Sequence, residues 1–325
     1  MSTVRYRTQL LWLTLTAYAL RVYGLDRQSF WLDEVDAIAM AAAPVSTHLR
    51  KLTAVGENGP LYFLLFKVWV QLAGPGEFGA RAFSAFTSTL AIPLIAALAQ
   101  ALFHRRDIAV IAAALAAASP FYVWFGQDAK MYPLFAALTL GAQWCLVKAF
   151  ECTSPMPEGQ LWRRRGSWPW WLGYVLCSSF ALYVHIFAAL QIAANTLAGV
   201  ALWLSRRQRG RALLLSTLLL TAPYVPLAVW QGPVLLRGAN VGYRPVDLSA
   251  IVVTLLHQFT WHLNASVSRW WLVALVLVLA FGFWRIARGR YSHTDGDRRW
   301  AAWEPVAVLA LWLAVPIALV YAVQF

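Results

Sequence analysis

The chain has 325 residues, 60% hydrophobic and only 13% charged, with Lys+Arg 27 against Asp+Glu 14 and a formal net charge of +13. Soluble domains carry roughly 25% charged and about 45–50% apolar residues, so a soluble domain, a disordered chain and a coiled coil are excluded. The basic residues stand in short clusters between apolar stretches, not along a stripe interleaved with aromatics, which argues against a nucleic-acid partner.

A membrane-crossing helix needs about 20 apolar residues at roughly 1.5 Å rise each. On that ruler the sequence predicts spans at 8–24, 80–102, 107–125, 131–150, 168–185, 186–204, 212–231, 270–287 and 303–324. The chain reads as an all-α polytopic membrane protein of about nine transmembrane helices, a single domain over 1–325. Trp168–Leu204 is too long for one span and just long enough for two, which puts a tight hairpin near His185. Ile251–Trp261 is apolar but short and reads as interfacial or re-entrant. Pro120 breaks the third span near its outer end, and Gly126 allows a sharp turn into the fourth. Cys145, Cys152 and Cys177 lie in or beside apolar segments and form no pairable or metal-binding framework.

Lys and Arg set the sidedness. With Arg5 and Arg7 in the cytoplasm and the spans alternating, 17 of the 27 basic residues fall inside, among them Arg105, Arg106, Arg163, Arg164, Arg165 and Arg206. An alternative for the N-terminus, a signal cleaved near Ala17-Tyr18-Ala19, leaves the next loop on the same outer side. The expected location is the plasma (inner) membrane. Two long segments, 25–79 and 232–269, then face outward, and the short inner loops read as anchors.

The first outer segment holds Asp26, Asp33, Glu34, Asp36, Glu57 and Glu77, six of the eight outward acids. Asp33 and Glu34 are adjacent, beside Phe30 and Trp31 and near a low-dielectric surface. Mutual repulsion and lost hydration should raise the pKa of at least one, as a general base for a hydroxyl proton requires. The plainer reading is that both cap a helix starting near Val35; the two readings are compatible. Pro60 then opens an amphipathic helix to about Ala73, too short to cross and expected at the interface. Arg81 sits about a turn inside an apolar segment, where it either pairs with an anion or snorkels to the headgroups.

The run Ser119–Tyr132 brings a second polar group to the same depth. If the chain is helical from residue 127, Asp128 and Tyr132 share one face and Gln127 and Lys130 another. His185 joins them from the hairpin, as a hydrogen-bonded structural residue or as a ligand. Arg237, Tyr243 and Arg244 in the second outer segment are further anion contacts on paper.

In this order and with this sidedness, the segments Asp33-Glu34, Pro60–Leu65, Glu77–Ser84 and Ser119–Tyr132 resemble the glycosyltransferase family 39 enzymes of the GT-C superfamily. That group includes protein O-mannosyltransferases and the lipid A aminoarabinose transferase. The likeness runs from about Arg21 to Phe150 and more weakly through Tyr183–Ala188. It implies a GT-C-like fold with interfacial helices in the first outer loop. The implied activity moves a sugar from a polyprenyl-phosphate carrier to a glycan, lipid or protein acceptor on the extracytoplasmic face, usually with inversion.

Two departures stand out. Many bacterial relatives have His-Pro-Pro-Leu-Tyr at Asn58–Tyr62, and Gln-Glu-Ala-Arg-Met-Tyr at Gln127–Tyr132. The second change keeps a cation at Lys130 but loses the guanidinium fork. In the aminoarabinose branch an acid aligns with Glu57, which makes Glu57 and His185 the candidate ligands of a divalent metal. Relatives commonly continue with more spans or an outer C-terminal domain, so the chain reads either as a compact member or as a fragment that lacks a C-terminal part.

The roles that follow are Asp33 as base, Glu34 orienting the sugar or sharing that role, and Arg81 with Lys130 at the carrier phosphate. Tyr62, Gln127, Asp128, Tyr132 and His185 are the expected substrate contacts. A transporter or lipid flippase using the same charges is the alternative, but it calls for polar residues at mid-membrane and repeated halves, and the charges cluster at one boundary. A non-catalytic assembly subunit is a third reading.

Overall fold

A computed structural model describes residues 1–51, 59–151, 167–207, 209–236, 246–260 and 303–322, and among them every regular element is a helix. In chain order these are α1 Thr3–Val22, α2 Leu32–Ala42, α3 Val45–Lys51, α4 Pro60–Ala73, α5 Glu77–Phe103, α6 Arg106–Ala118 and α7 Pro120–Gln127. There follow α8 Tyr132–Glu151, α9 Trp168–Val184, α10 Ala188–Arg206, α11 Gly210–Leu236, α12 Leu248–Thr260 and α13 Glu304–Ala322. Helices α5, α8, α10 and α13 are long and apolar enough to cross a bilayer, and α6 with α7 forms a fifth candidate bent by 54°. The expected span 270–287 lies outside the described residues, as do Arg237, Tyr243, Arg244 and Cys152.

Most expected segments appear within a few residues. The 168–204 stretch divides into α9 and α10 around His185, and α4 starts at Pro60 and stops at Ala73. α6 ends one residue before the Ser119–Pro120 break. The short apolar run at 251–261 is the thirteen-residue α12. Two local expectations are corrected. The chain from 127 is not helical, since Asp128–Met131 forms a turn that precedes α8, with the Lys130 N–H donating to the Asp128 carbonyl at 2.7 Å. Gly126 does not make that turn. It lies inside α7, where a Cβ would meet Ser88 Oγ at 2.8 Å, so its use is a close helix contact.

α5 is the central post. Along one length α1 and α6 press small side chains on it, including Ala17, Ala109, Ala113 and Ala117, against Ile92 and Ala96 of α5, which lets the backbones approach closely. Its far half packs with α8, α9, α10, α11 and α13 around Leu102, Leu146, Phe150, Tyr174 and Leu202. Between α8 and α9 the fit is reciprocal. A Cβ on Gly173 would lie 2.8 Å from Cys145 Sγ, and one on Gly141 would lie 3.3 Å from Cys177 Sγ. Each thiol sits over the other helix's glycine.

The two ends of the bundle differ in chemistry. At one end basic residues close helix termini. Arg206 pairs with buried Glu304 of α13 at 2.8 Å and donates to the Phe150 carbonyl, while Arg106 donates to the Met1 carbonyl. At the other end α2 and α4 lie over the top of α5. Lys67 of α4 donates to the Ala41 and Ala43 carbonyls, both at 2.9 Å, and so caps the C-terminus of α2. α4 buries Tyr62 and Phe66 and exposes Leu65, Val68 and Leu72, the two-faced pattern of an interfacial helix.

The start of α4 is seated against the end of α9. A Cβ on Gly59 would lie 1.9 Å from the Tyr183 carbonyl oxygen, a clash with backbone that no rotamer relieves. Gly59→Ala is therefore expected to cost at least about 3 kcal/mol in thermal unfolding of the purified protein. Gly76→Ala, where a Cβ meets nothing within 4 Å, should cost about 1 kcal/mol or less. Equal losses at the two positions would contradict this seating.

Candidate active site

The first outer segment is pinned by one carboxylate. Glu34, fully buried in the first turn of α2, accepts from Arg81 Nε at 2.8 Å and Arg81 Nη2 at 2.7 Å. It also takes the Ala129 N–H at 2.9 Å and, as a capping side chain, the Trp31 N–H at 3.3 Å. The Arg81 guanidinium is equally committed. Beyond Glu34 it donates to the carbonyls of Leu25 at 2.6 Å, Gln28 at 2.7 Å and Ser29 at 3.2 Å, with the Phe30 ring 5.2 Å away. Burial pushes the Glu34 carboxyl up, but the bonds from Arg81 and Ala129 and the Arg81 charge outweigh it and hold the group below its ordinary value.

Two expectations change here. Glu34 is not a carboxylate of raised pKa, and it has no oxygen left to orient a sugar. Arg81, expected at the carrier phosphate, has every N–H engaged and is only 6% exposed.

Asp33 turns the other way. One residue along a helix rotates the side chain by about 100°, so adjacent acids diverge. The Asp33 side chain is 49% exposed, and its Oδ2 lies 3.4 Å from Lys130 Nζ, whose side chain is 13% exposed. Asp128 completes the group from the α7–α8 turn. Among the described residues no donor reaches its carboxylate. Burial, with the Glu34 charge, pushes it up to about 6 against the pull of Arg81 and Lys130. The carboxyl expected of the Asp33–Glu34 pair, poised near neutrality, is thus found at Asp128.

The remaining expected contacts divide. Gln127 donates its amide to the carbonyls of Leu20 at 3.3 Å and Tyr23 at 3.0 Å, capping α1 instead of facing a substrate. Tyr62 is wholly buried, stacked on Phe66 at 5.3 Å, with no partner for its hydroxyl among the described residues; burial and the nearby Glu34 charge raise its pKa well above the ordinary value. Tyr132 is open at the surface, edge-on to Phe125 at 5.5 Å and 6.1 Å from the His185 ring. Phe135 and Phe187 flank His185 at 5.4 and 4.9 Å, so an aromatic wall borders the acidic turn.

His185 Nδ1 accepts the Phe187 N–H at 3.1 Å, which leaves the ring proton on Nε2. A metal at Nε2 would need that proton moved to Nδ1 and the Phe187 hydrogen bond given up. Glu57 lies outside the described residues, and among those described no group of three His, Cys, Asp or Glu could hold a metal. Among the described residues the donors present do not fit a divalent ion.

One buried cation escaped the sequence reading. Arg21, fully buried, donates from Nε to Ser88 at 2.8 Å, from Nη1 to the Ala17 and Ala117 carbonyls, and from Nη2 to the Ala116 carbonyl. Pro120 has no N–H to offer Ala116, so Arg21 supplies a donor that the α6–α7 break removes. Its signal was an Arg inside the expected first span, 8–24.

A family model described as dolichyl-phosphate-mannose-protein mannosyltransferase matches residues 57–230, more than half of the chain. The chain belongs to that family. Among solved structures it is similar to the S. cerevisiae protein O-mannosyltransferase Pmt1-Pmt2 complex bound to the sugar donor, with 16% identity and a TM-score of 0.54. The alignment covers 71% of this chain and 34% of that one, so this chain spans about a third of that relative's length. The likeness gives the GT-C fold. Comparison with curated proteins gives no match.

The structure places two differently built ion pairs side by side, and they should separate in stability measurements. Arg81→Leu leaves Glu34 buried and unpaired, at an expected cost of about 3–5 kcal/mol in thermal unfolding. Lys130→Leu should change stability by less than about 1 kcal/mol, since its partner is half exposed. Asp128 binds its proton more tightly folded than unfolded, so its ionisation lowers stability as pH rises from its ordinary 3.8 towards about 6. Asp128→Asn should then stabilise the protein by about 2 kcal/mol at pH 7.5, a gain that vanishes below pH 4. An Asn variant no more stable than the parent at pH 7.5 would contradict the assigned strain.

Proposed function

We propose that the chain transfers a sugar from a polyprenyl-phosphate carrier to an acceptor hydroxyl at the extracytoplasmic rim of the membrane, with inversion at the anomeric carbon. The reading rests on one observation above all: an open Asp33–Lys130 pair beside Asp128, built over a closed Glu34–Arg81 pair. The closed pair is scaffold and the open one is reagent. The yeast relative binds a sugar donor, which agrees in kind. The Lys and Arg clusters of the loops expected at the opposite end of the bundle support the outer face for the site.

In the resting site Lys130 neutralises Asp33. A lipid-linked phosphate is a stronger anionic partner and draws the ammonium onto itself. Asp33 is thereby released as a base. It takes the acceptor's hydroxyl proton while that oxygen bonds to the anomeric carbon, and the bond from this carbon to the phosphate oxygen breaks on the far side. The electron pair stays with the carrier phosphate, where Lys130 stabilises it, the kind of charge stabilisation that commonly dominates catalysis. Arg81 acts at one remove, by fixing the phase of α2 through Glu34. Asp128, ionised above about pH 6, keeps Lys130 in place. The Tyr132–His185 wall borders the sugar, with the His185 Nε2–H as a neutral donor.

Purified protein in nanodiscs, given radiolabelled polyprenyl-phosphate sugars, tests this. Asp33→Asn should lower kcat by about 10²–10⁴-fold with the fold retained, and Lys130→Ala should raise KM for the donor more than for the acceptor. Full transfer by both variants would end the assignment, and solute flux in liposomes without transfer would favour a transporter.

A further inference from the structure

Two thiols meet where α8 packs on α9. Cys145 of α8 is buried, and Cys177 of α9 is half-buried. We propose that Cys145 and Cys177 are an oxidisable pair, which a quinone dissolved in the bilayer closes to a disulfide that staples α8 to α9. The inference goes beyond the sugar-transfer reading and does not depend on it.

Three observations carry it. The first is backbone approach. Gly141 and Cys145 stand four residues apart on α8, and Gly173 and Cys177 four apart on α9, so each pair shares a helix face. A Cβ on Gly173 would lie 2.8 Å from Cys145 Sγ, and one on Gly141 would lie 3.3 Å from Cys177 Sγ. The numbering runs in opposite directions across this contact, so the helices are antiparallel there. Each glycine removes the side chain that would hold the other backbone off. A disulfide spans only roughly 4.4–6.8 Å between Cα atoms, so it joins two helices only where their backbones approach closely.

The second is the sulfurs themselves. The two thiols are hydrogen-bonded to each other. Packing against a glycine needs only a small side chain, which alanine would supply. It does not need two sulfurs to meet.

The third is the route of the oxidant. Leu172, Leu176 and Phe180, at four-residue spacing on α9, are 47%, 44% and 48% exposed and mark the face turned to the acyl chains. Cys177 follows Leu176 and stands three residues before Phe180, so it borders that face, while Cys145 is only 8% exposed. The route to Cys177 runs through lipid, which a hydrophobic quinone can take and a charged disulfide cannot.

The balance closes with the quinone alone. Two S–H bonds break and one S–S bond forms. Each sulfur gives up one electron, and the two electrons and two protons pass to the quinone, which leaves as the quinol. No net charge stays behind in hydrocarbon. The staple joins the helix that starts at Tyr132 to the helix that ends beside the seat of Gly59 on Tyr183.

The test incubates the full-length protein in nanodiscs with decylubiquinone, then unfolds it and titrates its thiols with N-ethylmaleimide. The chain has three cysteines, so the reactive count should fall from three to one, with a peptide link between Cys145 and Cys177. Cys152→Ser should fall from two to none, and Cys177→Ser should stay at two. Glutathione disulfide should act about tenfold more slowly or worse. The linked protein should melt about 5 °C above the reduced one.

Three reactive thiols after quinone treatment, a link through Cys152, a mass gain from a quinone adduct, or equal rates with glutathione disulfide would overturn the inference. An unchanged melting temperature in the linked protein would overturn the staple. None of these readouts is sugar transfer, so failure of the reaction assigned above leaves them untouched.

Discussion

The Glu34 carboxylate is the constraint on which the outer end of the molecule depends. It accepts donors from α5, from the turn before α8 and from the start of α2, so three separated stretches of chain meet on two oxygens. A buried ion pair balances its desolvation only when its geometry is good and its remaining hydrogen-bonding capacity is filled. Arg81 meets both conditions through three carbonyls of the α1–α2 link. Once Glu34 is turned inward, Asp33 must face outward, because neighbouring residues on a helix do not share a face. The chemistry assigned to Asp33 is thus a consequence of the packing of its neighbour.

The same end is assembled from interruptions of helices. The α6–α7 break, the Asp128–Met131 turn, the α9–α10 hairpin and the seat of Gly59 on Tyr183 all fall there. Each interruption leaves backbone groups without helical partners. Arg21, Lys67, Gln127 and Ser119 supply many of the missing partners, and these are the residues that a search for catalytic groups mistakes or overlooks. Asp128, with no donor at all among the described residues, stands out against this background. Its half-buried carboxylate, with Glu34 nearby, is the kind of group whose raised pKa the proposed chemistry can use.

Apolar length and punctuation were legible in the sequence. The α4 limits, the break at Pro120 and the hairpin at His185 followed from span length, proline placement and the absence of charges, which are local properties. The gathering of Glu34, Arg81, Asp128 and Lys130 was legible as shared depth. Their pairing was not. Whether Arg81 meets Glu34 or a phosphate depends on the path of the α1–α2 link, and that path is set by carbonyls whose positions no side-chain pattern encodes. The capping role of Gln127 and the burial of Tyr62 were not legible for a similar reason, since both are decided by distant helices. The turn at 128–131 was taken for helix because its spacing fits a helical face, yet a two-residue hydrogen bond from Lys130 to Asp128 closes it instead.

The central claim is that Glu34 and Arg81 form one cooperative clamp that carries the reagent residues without touching substrate. A double-mutant cycle with Glu34→Gln, Arg81→Leu and the pair, read by thermal unfolding in nanodiscs, measures it directly. The account predicts strong coupling, with the double variant more stable than the sum of the single losses allows by about 2–3 kcal/mol. Additive losses, within about 0.5 kcal/mol, would contradict it.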